Sequence, residues 1–458
     1  MTRSAKLLLT LALTAVALPG AVRAQTPEPK DNKWTKEATK SLTIASIKGT
    51  PAEKTQLYQT ALASLKEAMA NPKEQGNAKV WLLAGQAYAG LGQLPQADSA
   101  LKKAEELYPG YKAEIEAARE QAWLNEFKAG SDMLDHNQSD SAAVLMEAAE
   151  KVYDQRPEAQ LNLGVIYLNA QKYEQADVAL QLAKQRLAGP LFAKLKPEDQ
   201  TLWKNWDQLV DNLRAQIQSN KGILAFRNDD FDEAVTDFGA AYKINPASRD
   251  YIYNLAESLF AKSARLERQR SDAEDALTKA SPTPAPGRKA PAKSVMADSL
   301  KDSMQKLDAA LAPIWTQLID AANKLLPVEP ANSDVYIMLA KAYRGQSLAS
   351  HNAAEQKALQ DKAIDALNKG TALPFEVTEL SANYGDTSAV NGKIKNHTLK
   401  AGEQAKIHVT FLAIDGTPVG TADVSVAVGA ADSLTPFEAK AETKGGRVAG
   451  WKYAAVAN

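Results

Sequence analysis

The sequence predicts a mainly α-helical chain: an α-solenoid of repeated helix pairs with insertions, followed by a small antiparallel β-sandwich at the C-terminal end. Three observations carry this expectation. A glycine recurs four times with the same small and large residues at the same distances downstream. Proline or a turn sequence separates one recurrence from the next. After Pro374 the apolar period falls from about 3.6 residues to 2, the change expected where helices give way to strands.

The chain opens with MTRSAKLLLTLALTAVALPGAVRAQ. Arg3 and Lys6 precede an apolar run from Leu7 to Leu18, and Val22-Arg23-Ala24 supplies small residues for cleavage. This pattern predicts an export leader, residues 1–24, removed after Ala24. The run is about a dozen residues, short of the roughly 20 that a membrane span needs. No later stretch is apolar enough to span. A periplasmic or secreted location is therefore expected, with no lipid anchor, because the chain has no cysteine. Of 458 residues, 45% are apolar and 24% charged, and the formal charge is −1, so the fold must rest on packed area. Loss of Arg3, Lys6 and Arg23 with the leader makes the balance more acidic, which argues against nucleic-acid binding.

The helical part reads in order. Residues 25–77 hold N-terminal helices and a degenerate repeat. Within them Tyr58, Ala61, Leu65 and Ala68 have second-helix spacing, while Gly49-Thr50-Pro51 makes a first helix doubtful. From 78 to 261 the repetition is plain. Gly85 precedes Ala97, Leu101 and Ala104 by 12, 16 and 19 residues. Gly130 stands in the same relation to Ala142, Met146 and Ala149, Gly164 to Ala176, Leu180 and Ala183, and Gly222 to Ala234, Phe238 and Ala241. Gly130 to Gly164 is 34 residues, one whole repeat. Gly164 to Gly222 is 58, so about 24 are inserted, including Pro190, Pro197 and a helix with Trp203 and Trp206. Residues 262–298 form a charged helical and Pro/Ala-rich insertion, whose flanks are expected to pair as a projecting hairpin. Residues 299–373 carry further repeat-like helices, with 312–326 as partner of 250–260 and a last pair over 334–344 and 354–369.

The stretch WLLAGQAYAGLGQLPQADSALKKAEELYP resembles a tetratricopeptide repeat (TPR) through Trp81, Gly85, Tyr88, Ala97, Leu101, Ala104 and Pro109. LNLGVIYLNAQKYEQADVALQLA is similar through Leu163, Gly164, Tyr167, Tyr173 and Ala176. The resemblance implies a non-catalytic scaffold whose exposed first-helix faces line a partner-binding groove. Carried over residue by residue, that face comprises Leu82 and Gln86, then Phe127, Ser131 and Leu134, then Leu161, Val165 and Leu168, then Ile223 and Phe226, and last Tyr253, Glu257 and Phe260. Positions that in some members clamp a terminal carboxylate are largely apolar here. An amphipathic helix or hydrophobic segment of another protein is thus the expected partner, unless the insertions or the C-terminal domain fill the groove.

The acidic run RNDDFDEAVTDFGAAYKINP, 227–246, invites a calcium-loop reading. The loop needs a glycine and a closing glutamate at set positions, and Glu233 and Gly239 stand there instead. The spacing of Ala234, Phe238 and Ala241 makes it an inter-helix turn and second helix, with acids at the helix start.

Residues 374–458 predict the sandwich. Ile407, Val409, Phe411 and Ala413 alternate with Lys406, His408 and Thr410, and Asp415-Gly416 is a hairpin signal. TADVSVAVGA, FEAKAE and RVAGWKYAAV read as further strands. Gly392-Lys393-Ile394-Lys395-Asn396, Phe411 to Asp415 and Phe437 give this part a resemblance to the small Ig-like FxLYD domains of bacterial envelope proteins, although Ala413 and Ile414 replace that motif's leucine and tyrosine. The resemblance implies binding or spacing and transfers no catalytic residue.

Nothing in the sequence predicts a catalytic residue, a metal ligand set or a cofactor. His136, His351, His397 and His408 are dispersed, and no phosphate loop or nucleophile elbow occurs; Gly445-Gly446-Arg447 lacks the following helix. The sequons at Asn137 and Asn396 matter only in a eukaryotic source. Trp203, Trp206, Trp315 and Trp451 are expected in the core. The function expected is an exported protein-binding scaffold. Its rivals are a cell-envelope or peptidoglycan adaptor working through the sandwich, with cell-wall association, and a hydrolase with an unrecognised site.

Overall fold

A computed structural model describes residues 28–280, 295–443 and 447–457. The expected leader, the Pro/Ala-rich stretch at 281–294 and Gly445-Gly446 lie outside the described residues. The chain divides into two compact units, 1–210 and 211–458.

The first unit is built of antiparallel helix pairs: α1 (Lys33–Ile47) with α2 (Pro51–Ala70), α3 (Ala78–Gly90) with α4 (Leu94–Leu107), α5 (Lys112–Asp135) with α6 (Ser139–Val152), and α7 (Glu158–Asn169) with α8 (Tyr173–Leu187). Gly49-Thr50-Pro51 is the hinge of the first pair rather than a loss of its first helix. Thr50 caps α2 by accepting from the Glu53 backbone N–H, and the Glu53 carboxylate accepts in return from the Thr50 N–H. Helix α9 (Pro197–Arg227) belongs to the first unit as far as Val210 and to the second from Asp211. The expected separate tryptophan helix is therefore the N-terminal extension of a first helix, since no glycine or proline interrupts 198–221. Trp203 and Trp206 are buried with ring centroids 6.4 Å apart.

The glycine register has a direct packing cause. A Cβ on Gly85 would sit 2.5 Å from Leu101 Cδ2, one on Gly164 2.5 Å from Leu180 Cδ2, one on Gly130 3.1 Å from Met146 Cγ, and one on Gly222 3.0 Å from Phe238. Each glycine opens the face of a first helix to the large residue 16 positions on. Seven residues after each glycine comes a second regularity: Gly92, Asn137, Gln171 and Asp229 all have positive φ, between 57° and 68°. Each is followed by a residue whose N–H reaches back to a carbonyl in the helix, as Gln93 to Tyr88 (2.9 Å) and Lys172 to Tyr167 (2.8 Å). This closes the first helix in a Schellman turn. Gln171 holds a conformation that glycine adopts without the Cβ penalty of about 1–2 kcal/mol. Gln171→Gly is therefore expected to stabilise the first unit by about 0.5–1 kcal/mol, measured as a rise in urea midpoint at unchanged slope.

The second unit continues with α10 (Phe231–Ile244), α11 (Arg249–Ala280), α12 (Val295–Leu325), α13 (Ser333–Ala349) and α14 (Ala353–Thr371). Helices α11 and α12 pair along their length, with Arg270 Nε 2.6 Å from Asp308 Oδ1, and run unbroken through 261–262 and 298–299. Trp315 is buried in this unit's helical core against Gly345. Of the acids in the 229–233 run, two serve helix geometry and one an ion pair. Asp229 is the left-handed turn residue, Asp230 caps α10 by accepting from the Glu233 N–H, and Asp232 pairs with Lys262 at 2.5 Å.

Six strands follow: β1 (Phe375–Asn383), β2 (Thr387–Asn396), β3 (Gln404–Leu412), β4 (Pro418–Ala427), β5 (Leu434–Glu442) and β6 (Gly450–Ala457). They form two antiparallel sheets, ordered β1-β2-β5 and β4-β3-β6. Phe375, Val377, Val390, Ile394 and Phe437 of one sheet share a core with Ile407, Val409, Phe411, Trp451 and Tyr453 of the other. Strand β3 ends at Leu412, so Ala413 belongs to the hairpin turn, where its N–H donates to the Thr417 carbonyl. Strand β1, which no distinct pattern announced, pairs with β2 through Val377 opposite Ile394.

The connector between α12 and α13 seals both sheets. The Val377 N–H of β1 donates to the Ala331 carbonyl at 2.8 Å, and the Tyr453 N–H of β6 donates to the Val328 carbonyl at 3.2 Å. Between these two residues Glu329, fully buried, pairs with Arg249 at the start of α11, whose guanidinium lies 5.9 Å from the Trp451 ring. Asn245 Nδ2 donates to the Ala449 carbonyl at 2.8 Å. The strands thus complete the second unit rather than hanging from it.

Candidate partner-binding groove

In the first unit, helix faces that a single-helix reading assigns to the groove are partly interior. Leu82 is buried among Leu101, Ala104, Tyr111 and Ile115, that is, against its own second helix and the start of the next pair. Phe127 is buried and stacks on Trp123 at 4.8 Å with ring planes 6° apart. Leu161 and Leu168 are buried as well. These four side chains are core, a correction to their placement on an open surface, because the adjoining helices cover the face they share. Gln86, Ser131, Leu134 and Val165 keep partial exposure, and the Ser131 hydroxyl is spent on its own helix at the Phe127 carbonyl.

The second unit is different. Ile223 and Phe226 on α9 and Glu257 on α11, three of the sequence-derived residues, converge on one depression of about 110 Å³. Phe238 of α10, buried, helps to line it, and Asn254 and Arg227 complete it. Phe226 is held edge-on to Phe231, the aromatic of the inter-helix turn, at 5.4 Å. Tyr253 and Phe260, partly exposed on α11, each carry a cation over the ring: Arg249 at 4.3 Å and Lys341 of α13 at 4.5 Å. Asn254 was legible in principle, three residues before Glu257 on the same helix face. Arg227 was legible in the same way, four residues after Ile223 on α9, whereas Phe238 reaches the site through the pairing of α9, α10 and α11, which no single-helix pattern contains.

Glu257 is the chemically distinctive member. It is half-buried and makes no hydrogen bond or ion pair among the described residues. Burial, and then the Asp334 carboxylate, push its pKa up, while Arg249 opposes the shift. A carboxyl whose pKa is raised on folding stabilises the fold below the ordinary carboxylate range, and loses that contribution as pH rises through its folded value. Glu257→Gln is accordingly expected to raise the melting temperature at neutral pH by about 2 °C. That gain should fade as the pH is lowered toward about 4, as a calorimetric pH series would show.

A larger depression, about 350 Å³, is lined by Tyr336, Ile337, Leu367 and Thr371 from α13 and α14 and by Glu376 and His397 from the strand region, with His397 Nε2 3.5 Å from Glu376. His408 pairs with Asp423 at 2.7 Å, and His136 contacts the Asp132 carbonyl. Among the described residues no group of three or more His, Cys, Asp or Glu is arranged to hold a metal ion, and no helix is long and apolar enough to cross a membrane.

A family model described as a tetratricopeptide repeat matches residues 127–187 and 220–283, and another of the same description matches 78–111. The helical part of the chain is a TPR-like solenoid. Comparison with curated proteins finds no match. Among solved structures the chain is similar to the TPR domain of P58(IPK), at 11% identity over 74% of this chain and 99% of that one, with a TM-score of 0.24. Yeast Tom70 is 16% identical over 77% and 67% of the two chains at a TM-score of 0.21, and pilF of Pseudomonas aeruginosa 14% over 64% and 99% at 0.18. Scores this low say nothing about function. A TPR solenoid is consistent with scaffolding between proteins, and it is typical of non-catalytic chains.

Proposed function

We propose that the chain is an exported protein–protein interaction scaffold that receives a partner segment on the first-helix face of α9 and α11. The convergence of Ile223, Phe226 and Glu257 on one depression is the observation that supports this reading. Apolar side chains there stay partly open to solvent, whereas Leu82, Phe127 and Leu161 are consumed by the first unit's core. The working face is thus Ile223, Phe226, Tyr253, Glu257 and Phe260, all of the second unit. The export expectation rests on the sequence of residues 1–24 alone.

The test is site-specific photocrosslinking in the producing cell, with a benzophenone side chain at position 223 and a control at Val144, an exposed residue of the second helix α6. A discrete adduct at 223 and none at 144 is the expected result. Equal labelling at both positions, or none at 223, would remove the groove from consideration.

A second reading follows from the 350 Å³ depression, which places strand-region residues beside the last helix pair. In it the strand region is an FxLYD-type Ig-like domain that ties the scaffold to the cell wall or to a second envelope protein. Asn396, on which that resemblance partly rests, is fully buried and ties its strand end to the carbonyls of Leu399 and Gly429. Retention of the chain on purified sacculi supports this reading, and passage without retention removes the wall from it.

A further inference from the structure

We propose that the depression between α9, α10 and α11 is specific for a cationic side chain flanked by apolar ones, a lysine or arginine of the partner segment whose charge meets Glu257. This deepens the scaffold reading and rests on it.

A carboxylate half-buried beside Ile223, Phe226 and Phe238 has lost hydration. Elsewhere in the second unit, buried acids are compensated. Glu329 has Arg249, and Asp237, also buried, has Lys221 at 3.9 Å. Glu257 has no such partner. The guanidinium of Arg249 is already engaged by Glu329 and Asp250, and Arg227, exposed at the end of α9, lines the depression without forming an ion pair to Glu257. Burial first, and then the nearby Asp334 carboxylate, disfavour its charged form, with Arg249 opposing them. A carboxylate left without an ion pair in a recess walled in part by Ile223, Phe226 and Phe238 is completed by a ligand of opposite charge. Its gain is a charge-assisted hydrogen bond in a partly dry site. An anion would meet the unpaired Glu257 carboxylate, which the nearby Arg227 does not pair, and a purely apolar side chain would leave that carboxylate further desolvated without a partner. The recess is sized for one side chain, the apolar part contacting Ile223 and Phe226 and the charged end reaching Glu257.

The experiment uses the full chain and three probes of one shape: 2-phenylethylammonium, 2-phenylethanol and 3-phenylpropionate, titrated by saturation-transfer NMR. The ammonium is expected to bind in the millimolar range and the other two to bind at least about tenfold more weakly. Glu257→Gln should weaken the ammonium about tenfold while raising the melting temperature, so the loss cannot come from unfolding. Ile223→Ser should also weaken it, by removing the apolar wall. Equal binding of the three probes, no binding of the ammonium, or an unchanged affinity in Glu257→Gln would each overturn the proposal. So would a lower melting temperature in that variant, which would make Glu257 structural. The crosslink at position 223 is read separately: an adduct there together with indifference among the probes leaves the scaffold standing and removes its cationic specificity.

Discussion

Arg249→Met is expected to destabilise the second unit by about 3–5 kcal/mol, because it leaves Glu329, with no exposed surface, as an unpaired buried charge. The effect should extend beyond one contact. Glu329 sits in the connector whose Val328 and Ala331 carbonyls accept from β6 and β1, and Arg249 also lies over Tyr253 and faces Trp451. Loss of the pair therefore loosens helix start, connector and both sheets at once. Far-ultraviolet dichroism of the helices and the near-ultraviolet signal of the aromatic core should shift together to lower denaturant. A double variant, Arg249→Met with Glu329→Met, should recover most of the loss, since replacing both charges removes the desolvation cost as well as the attraction. If helices and strands instead melt in separate steps in the parent protein, the strands are an independent module and the connector does not couple them.

Trp123→Ala should cost the first unit about 3–5 kcal/mol, the range for emptying a large buried aromatic site. Trp123 is fully buried in a cluster with Met146, Leu163 and Ile166, stacks on Phe127, and lies 5.1 Å from the Arg156 guanidinium. Arg156 in turn pairs with Glu158, buried, at 2.6 Å and with Glu120 at 2.8 Å. The indole is thus the floor of an ion network spanning α5 to α7, its Nε1–H also donating to Glu150 Oε1 at 3.4 Å, and its removal admits water beneath those charges. Trp123→Phe should cost far less, by keeping the stack on Phe127. Urea denaturation of the three proteins gives the comparison, and near-equality of the alanine and phenylalanine variants would mean that the stack contributes little.

What is local and periodic in this fold was legible in the chain. Gly85, Gly130, Gly164 and Gly222 each announce a helix pair, because two helices can approach closely only where a side chain is missing, and their spacing records the length of the hairpin between them. The same register places the left-handed turns, legible at Gly92 and Asn137 from residue type but at Gln171 and Asp229 only from position. Alternation at Ile407, Val409 and Phe411 marked the buried face of β3 for a similar reason, that a strand repeats every second residue. Tertiary structure alone decided which apolar faces remain open. Leu82 and Phe127 look like groove residues on their own helices, yet neighbouring helices cover them, whereas Ile223 and Phe226 on α9 keep a depression between them and Glu257. It also decided that the strands are joined to the helices, through the Arg249–Glu329 pair and the carbonyls of Val328 and Ala331. Such contacts bring together residues far apart in the chain. They depend on the shape of the whole unit, and a periodic pattern within one element carries no trace of them.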